Sequence, residues 1–289
     1  MPDLISLYNN TVNKLTKAGI DDREARTDAG LLMEFVFGCD RGYIYGHGDE
    51  EVSDEEKLSR FSELTDNRAK RLPLQHLTNE QSFMGLDLYV DENVLIPRQD
   101  TEFLVEEAMI GISDGMKVLD LCTGSGCILI SLMKYKNGIE GYASDISDAA
   151  LQVCRINAER HGLIDNITLI KSDLFDSIPA DETFDAILSN PPYIRTTVIK
   201  DLSPEVRDHD PYIALDGHED GLYFYRRIAV EAFKHLKLSG LLYLEIGYDQ
   251  AESITEFLKE AGLCDVTVTK DYSGHDRVVS ARRPIPDRS

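Results

Sequence analysis

From Met116 onward the chain alternates short apolar runs with stretches of helical period, and this alternation restricts the possible folds more than any other feature of the sequence. The runs at 117–121, 140–144, 167–171, 184–189, 241–246, 264–269 and 276–282 are expected to be strands. Helices are expected between most of them, at about 126–135, 147–161, 221–237 and 249–261. Strand–helix–strand repetition produces crossover units, so the pattern predicts an α/β domain: a largely parallel sheet with helices on both faces. The last two runs have only a short turn around Tyr272-Ser273-Gly274 between them, too little for a crossover helix, so they are expected to be antiparallel neighbours at the end of the sheet.

The chain ahead of this pattern reads differently. Leu4, Leu7, Tyr8, Val12 and Leu15 lie at helical spacing over 3–18. A second helix, opening at Asp21-Asp22, carries Ala25, Ala29, Leu32, Met33 and Val36 and stops at Gly38. Ser53 followed by Glu56 has capping-box spacing and predicts a third helix through about Arg71, closed by Pro73. Residues 80–97 then alternate apolar and polar around Phe83, Leu86, Leu88 and Val90, with a turn signal at Met84-Gly85, which predicts a β-hairpin. A helix is expected to resume at Thr101. The expected organisation is an N-terminal helical domain over 1–72 serving substrate recognition, a hairpin linker over 73–99, and the main α/β domain over 100–289.

Thirty basic residues stand against 52 acidic ones, a formal net charge of −22. Such a balance disfavours extended binding to duplex DNA, where Lys and Arg must replace condensed counterions. No run approaches the roughly 20 apolar residues of a membrane span, and Met1-Pro2-Asp3-Leu4 lacks the basic start and apolar run of a secretory signal, so a cytoplasmic protein is expected. The five cysteines form no Cys-x-x-Cys pair and the seven histidines show no ligand spacing. Buried reduced thiols and no metal site are expected. Nothing in the sequence demands a dimer, and a monomer is expected.

Chemistry-bearing residues sit where the expected strands end. Cys122-Thr123-Gly124-Ser125-Gly126-Cys127 leaves the first strand and opens the next helix, the position at which α/β sheets bind ligands. A dinucleotide fingerprint would place a third glycine at 129; Leu129 stands there, which favours adenosine or S-adenosyl-L-methionine over a pyrophosphate ligand. Asp145 ends the second strand, where a carboxylate can accept both ribose hydroxyls, although it could instead cap the helix that begins near Ser147. Asp173 follows the third strand and can accept an adenine amino group or serve as a turn residue. Asp120 can orient the loop or touch the methionine part of such a ligand. With Thr123, Gly124, Gly126, Ile146, Leu174 and Asn190, these residues make up the expected cofactor-binding set.

The fourth strand runs into Asn190-Pro191-Pro192-Tyr193. Two prolines cannot continue a central strand and hold Asn190 extended, so this is a stiff loop at the same sheet edge. An amide or aromatic amine nitrogen is a poor nucleophile because its lone pair is delocalised. Two acceptors aimed at its N–H groups, the Asn190 side-chain oxygen and the Pro191 carbonyl, would favour pyramidalisation and point the lone pair at a methyl donor. Tyr193 offers a flat wall for a planar group. Asn190, Pro191 and Tyr193 are the expected catalytic residues, and with Pro192 they form the expected substrate site.

Together these residues resemble the protein-(glutamine-N5) methyltransferases that act on peptide chain release factors. Asn-Pro-Pro-Tyr is shared with nucleic-acid amino-methyltransferases, so it specifies the chemistry better than the substrate. Pro73-Leu74-Gln75-His76-Leu77, Phe83-x-Gly85-Leu86-x-Leu88-x-Val90, Leu95-Ile96-Pro97-Arg98-Gln99-Asp100-Thr101-Glu102 and Ala214-Leu215-Asp216-Gly217-x-x-Asp220-Gly221-Leu222 carry the narrower likeness. Gln99, where a second proline is common, and His218, where a second glycine is common, depart from it. The resemblance spans about 20–282. It implies a seven-stranded, Rossmann-like class I methyltransferase sheet behind a helical N-terminal domain and S-adenosyl-L-methionine as cofactor. It adds Arg98 to the expected substrate site. It also implies, as substrate partner, the glutamine of the Gly-Gly-Gln motif in class 1 release factors; a ribosomal-protein glutamine and a nucleic-acid base are the alternatives.

Overall fold

Four aspartates start the helices of the N-terminal region by taking up backbone N–H groups that have no partner inside the helix. Asp3 accepts from the Ser6 N–H at 2.7 Å, Asp21 from Arg23 at 2.9 Å, Asp40 from Tyr43 at 2.7 Å and Asp54 from Lys57 at 3.0 Å. They open α1 (Leu4–Lys17), α2 (Asp22–Phe37), α3 (Arg41–Gly46) and α4 (Glu55–Ala69), and α5 (Leu74–Thr78) follows Pro73. The computed structural model describes residues 1–286 and separates into two units, 1–79 and the chain from Glu80 onward.

Two details of the helical unit depart from the capping-box expectation. The cap of α4 is Asp54, one residue after Ser53, because that register turns Phe61, Thr65 and Arg68 inward together. The helix also stops at Ala69, before Pro73: Arg71 takes a left-handed φ of 73°, and Pro73 caps α5 instead of ending α4. Leu15, Ala25, Ala29, Leu32 and Met33 are fully enclosed between the helices. Arg68, 2% exposed, donates to Asp28 and Glu24 at 2.6 Å each, so the one guanidinium in this core is paired on two sides.

The second unit begins with β1 (Glu80–Phe83) and β2 (Leu86–Tyr89), an antiparallel hairpin. Its two-residue turn, Met84-Gly85, has φ of 49° and 70°, the mirror-image geometry that matches strand twist. Then follow α6 (Gln99–Gly111), β3 (Lys117–Leu121), α7 (Cys127–Tyr135), β4 (Glu140–Asp145), α8 (Asp148–Arg160), β5 (Ile167–Lys171) and β6 (Phe184–Ser189). After three short helices, α9 (Thr196–Ile199), α10 (Pro204–His209) and α11 (Tyr212–Leu215), come α12 (Tyr223–His235), β7 (Leu236–Glu245), α13 (Ala251–Glu260), β8 (Cys264–Lys270) and β9 (Asp276–Arg282). All seven expected strands of the main sheet form. β7 starts at Leu236, ahead of the expected 241, because α12 ends there and the chain turns directly into the sheet. The short helices between 194 and 222 went unpredicted, since four to six residues carry no readable period.

The sheet order is β5-β4-β3-β6-β7-β9-β8, parallel except for β9, which pairs antiparallel with both β7 and β8. Leu104, Val105, Leu129 and Leu132 pack one face together with Phe83 and Leu88 of the hairpin. Tyr225, Ile228, Ala232, Ile254 and Leu258 pack the other. The chain moves outward from β3 through β4 to β5, then returns to lay β6 on the opposite side of β3. The loops after β3 and β6 therefore diverge, and the crevice between them is the topological switch point where doubly wound sheets hold ligands.

Candidate active site

A cavity of about 390 Å³ opens at this switch point, within the usual range for small-molecule sites. Thr123, Gly124, Asp145, Ile146, Asp173, Leu174, Asn190, Pro192 and Arg98 all line it. Four other expected site residues, Asp120, Gly126, Pro191 and Tyr193, do not.

The loop after β3 is held from both sides. Asp145, at the end of β4, accepts the Gly124 N–H at 3.0 Å through Oδ2 and the Ser147 N–H at 2.9 Å through Oδ1. Ser147 rather than Asp145 caps α8, with its hydroxyl accepting from the Ala150 N–H at 3.2 Å. Burial raises the Asp145 carboxyl above the ordinary aspartate range, partly offset by the Ser147 and Gly124 bonds. Asp120 is fully enclosed and accepts from the Thr123 hydroxyl at 2.6 Å, so of its two possible roles the geometry supplies the one that orients the loop. Burial pushes Asp120 up to about 7 against the Thr123 bond, with Asp145 adding to the rise. Asn157, also fully buried, donates to Ser125 O and Tyr89 O at 2.9 Å each and fastens the loop to the hairpin; nothing in its helical spacing marks it out.

Gly126 serves packing. Its φ is 80°, and a methyl group there would meet Cys154 Sγ at 2.7 Å and Ile130 Cδ1 at 2.9 Å. Gly126→Ala is expected to cost roughly 2–4 kcal/mol, combining left-handed strain with overpacking. Urea unfolding should show it, and wild-type stability in this variant would contradict the packing role.

Asp173 is not a free acceptor. Arg227 of α12 donates to it at 2.7 Å, so the carboxylate reaches the cavity already paired. Tyr223, Phe224, His218, Ile213 and Ala214 complete this wall. Tyr223 and Phe224 open the expected helix over 221–237, and Ile213, Ala214 and His218 lie in or after the short helices before it; no local pattern marks these side chains as site residues. His218, which departs from the family pattern, is exposed and lines the cavity, its ring 4.3 Å from that of Tyr223.

Around the tetrapeptide the constraints are backbone contacts. Gln250 Nε2 donates to Tyr193 O and Gly221 O at 3.1 Å each. A methyl on Gly221, whose φ is 75°, would lie 2.4 Å from Tyr193 O. The loop of 214–222 thus closes directly on the back of Tyr193. The Tyr193 ring lies outside the cavity lining and its hydroxyl bonds Glu245 Oε1 at 3.3 Å, with burial raising its pKa. Asn190 Nδ2 donates to Thr101 Oγ1 at 3.2 Å. Asn190 Oδ1 and the Pro191 carbonyl accept no hydrogen bond among the described residues. Arg98 donates to Asp210, whose side chain is fully enclosed, at 2.6 Å, which ties the start of α6 to the loop over the cavity mouth.

Among the described residues no group of three or more His, Cys, Asp or Glu side chains is arranged to hold a metal ion, and no helix is long and apolar enough to cross a membrane.

Residues 6–78 match the family model described as the PrmC N-terminal domain, and residues 112–261 match a methyltransferase domain. The release factor glutamine methyltransferase of Clostridium acetobutylicum is 40% identical over 89% of this chain and 90% of its own length. That of Geobacter sulfurreducens is 40% identical over 93% of this chain and 92% of its own. Among solved structures, a methyltransferase from Pyrococcus furiosus has the same fold, with a TM-score of 0.53 at 18% identity, over 80% of this chain and 99% of the other.

Proposed function

Because this chain belongs to the release factor glutamine methyltransferase family, we propose that it transfers a methyl group from S-adenosyl-L-methionine to the side-chain amide nitrogen of the Gly-Gly-Gln glutamine in class 1 release factors. The observation that carries this reading is the state of Asn190: it lines the cavity, and its amide nitrogen is engaged by Thr101, which leaves its oxygen available as an acceptor.

The residues present fit the cofactor. A cavity of about 390 Å³, a glycine loop fixed by Asp145, and a carboxylate with lone pairs remaining suit a nucleoside with two ribose hydroxyls. Gly124, Asp145, Ile146 and Thr123 would hold the ribose and methionine parts, and Asp173, paired with Arg227, and Leu174 the adenine. When bound, S-adenosyl-L-methionine supplies an electrophilic methyl group on a positively charged sulfur.

The chain supplies position and electrostatics. Asn190 Oδ1 and the Pro191 carbonyl accept the two N–H groups of the substrate amide, withdrawing the nitrogen from conjugation and turning its lone pair into the cavity. Holding the nitrogen at near-attack distance is the main gain, and the cationic product then loses a proton to solvent. Pro192 lines the approach, Tyr193 braces the loop, and Arg98, fixed by Asp210, shapes the mouth. The helical unit of 1–79 recognises the body of the release factor.

Methyl transfer from labelled cofactor to a purified release factor tests this reading, with its Gln→Ala variant and duplex DNA as controls. Label is expected on the wild-type factor alone, and label on DNA alone would refute the proposal.

A further inference from the structure

Glu245 lies at the end of β7 and takes no direct part in the chemistry described above, yet it is only 2% exposed and sits behind the catalytic loop. Such a carboxyl needs partners. Tyr193 Oη bonds its Oε1 at 3.3 Å, and Arg277 of β9 is a nearby charge that favours its ionised form. Burial raises it to about 7; the Thr101 hydroxyl is the first group acting in the opposite direction, then Arg277, while Asp100 adds to the rise. Its other oxygen, Oε2, is buried and makes no well-formed hydrogen bond.

Hydrogen-bond accounting joins these facts. Thr101 Oγ1 accepts from Asn190 Nδ2 at 3.2 Å, so the single Thr101 proton must go to another acceptor. The Thr101 hydroxyl favours the ionised form of the Glu245 carboxyl, and Oε2 of that carboxyl is the buried acceptor left without a partner. We propose that Glu245 and Thr101 form a positioning relay that sets the orientation of the Asn190 amide: Glu245 takes the Thr101 proton, Thr101 takes an Asn190 Nδ2 proton, and Asn190 Oδ1 is thereby turned toward the substrate. The same carboxyl group anchors Tyr193, so one buried side chain fixes two residues of the tetrapeptide. With the relay broken, Asn190 can present its NH2 to the substrate amide, a donor where an acceptor is required.

The relay rests on the glutamine-methylation reading for its kinetic consequence, but its structural consequence can be read without substrate. In full-length protein, Thr101→Val keeps the side-chain shape and removes the hydroxyl, while Thr101→Ser restores it. Thr101→Val should lower kcat on a release factor roughly tenfold, the size of one positioning hydrogen bond, with KM and cofactor affinity within about twofold. Thr101→Ser should return kcat to near the wild-type value. Glu245→Gln offers one acceptor to two hydroxyl donors and should lower kcat in the same direction, and the double variant Thr101→Val/Glu245→Gln should be little worse than the more severe single one. Without substrate, the Asn190 side-chain NH2 resonance, assigned by its loss in Asn190→Ala, should show slow exchange in wild type and Thr101→Ser and fast exchange in Thr101→Val. Wild-type kcat in Thr101→Val, or unchanged Asn190 exchange, would overturn the relay. Absence of any methylation of a release factor by the wild-type protein would overturn the functional reading instead, and the exchange measurement would still decide the relay.

Discussion

Replacing Asn190 with alanine should lower kcat for release-factor methylation by roughly 30- to 1000-fold, about 2–4 kcal/mol of transition-state stabilisation, the cost of removing one preorganised hydrogen-bonding group. The reason lies in where its bonds go. Its nitrogen is committed to Thr101, and its oxygen is open to a substrate amide. Alanine removes the acceptor and leaves the loop in place, because the backbone here is held by two prolines, by Gln250 on Tyr193 O, and by the close approach of Gly221. Cofactor affinity should stay within about twofold and the unfolding transition should barely move. Steady-state kinetics beside calorimetric titration of the cofactor separate these outcomes. Lost cofactor binding with retained transfer would show that Asn190 belongs to the cofactor rather than the substrate.

Asp145→Ala should produce the opposite pattern. Its carboxylate holds the Gly124 and Ser147 N–H groups and still has lone pairs for the ribose hydroxyls. Hydrogen bonds to a charged acceptor contribute about 1.5–3 kcal/mol each, and the two ribose bonds share one group, so a loss of about 2–3 kcal/mol, roughly 30- to 150-fold in cofactor dissociation constant, is expected. The variant should recover much of its kcat when cofactor is saturating. Removal also leaves the Gly124 and Ser147 N–H groups without their acceptor, so a folding-stability loss of about 1–3 kcal/mol should accompany the loss of affinity. A variant with unchanged cofactor affinity and reduced kcat would move Asp145 out of the cofactor site.

The two patterns together divide the cavity into a donor side and an acceptor side, and that division was partly legible in the sequence. Strand–helix alternation placed all seven strands of the main sheet: the central β3 and β6 read as buried, mostly apolar runs, and the edge strand β8 as an alternating one. The carboxyl ends of β3, β4, β5 and β6 carry the glycine loop, Asp145, Asp173 and Asn190 because α/β sheets bind ligands at those ends. Local order, however, says nothing about which side chains are already spoken for. Asp173 looks like a free acceptor until Arg227, 54 residues away, is found at 2.7 Å. Tyr193 reads as a stacking wall, and no local pattern reveals that its hydroxyl bonds Glu245.

The unread parts share a physical cause. Thr101 and Glu245 reach the tetrapeptide through contacts of high sequence separation, 89 residues between Thr101 and Asn190 and 52 between Tyr193 and Glu245. Asn157 joins the glycine loop to the hairpin over 32 and 68 residues. The short helices of 196–215 span only four to six residues each, too few to show a readable period. Asp54 displaced Ser53 as a helix cap because both residue types cap equally well, and burial of Phe61 and Arg68 chose the register.

The most direct test of the account is where the methyl group goes. A purified release factor, incubated with this protein and S-adenosyl-L-methionine and then digested, should yield a Gly-Gly-Gln peptide carrying one methyl group, which fragmentation places on the glutamine side-chain amide nitrogen. That product should disappear with Asn190→Ala. A methyl group placed on any other residue of the factor, or an unmodified Gly-Gly-Gln peptide at saturating cofactor, would contradict it.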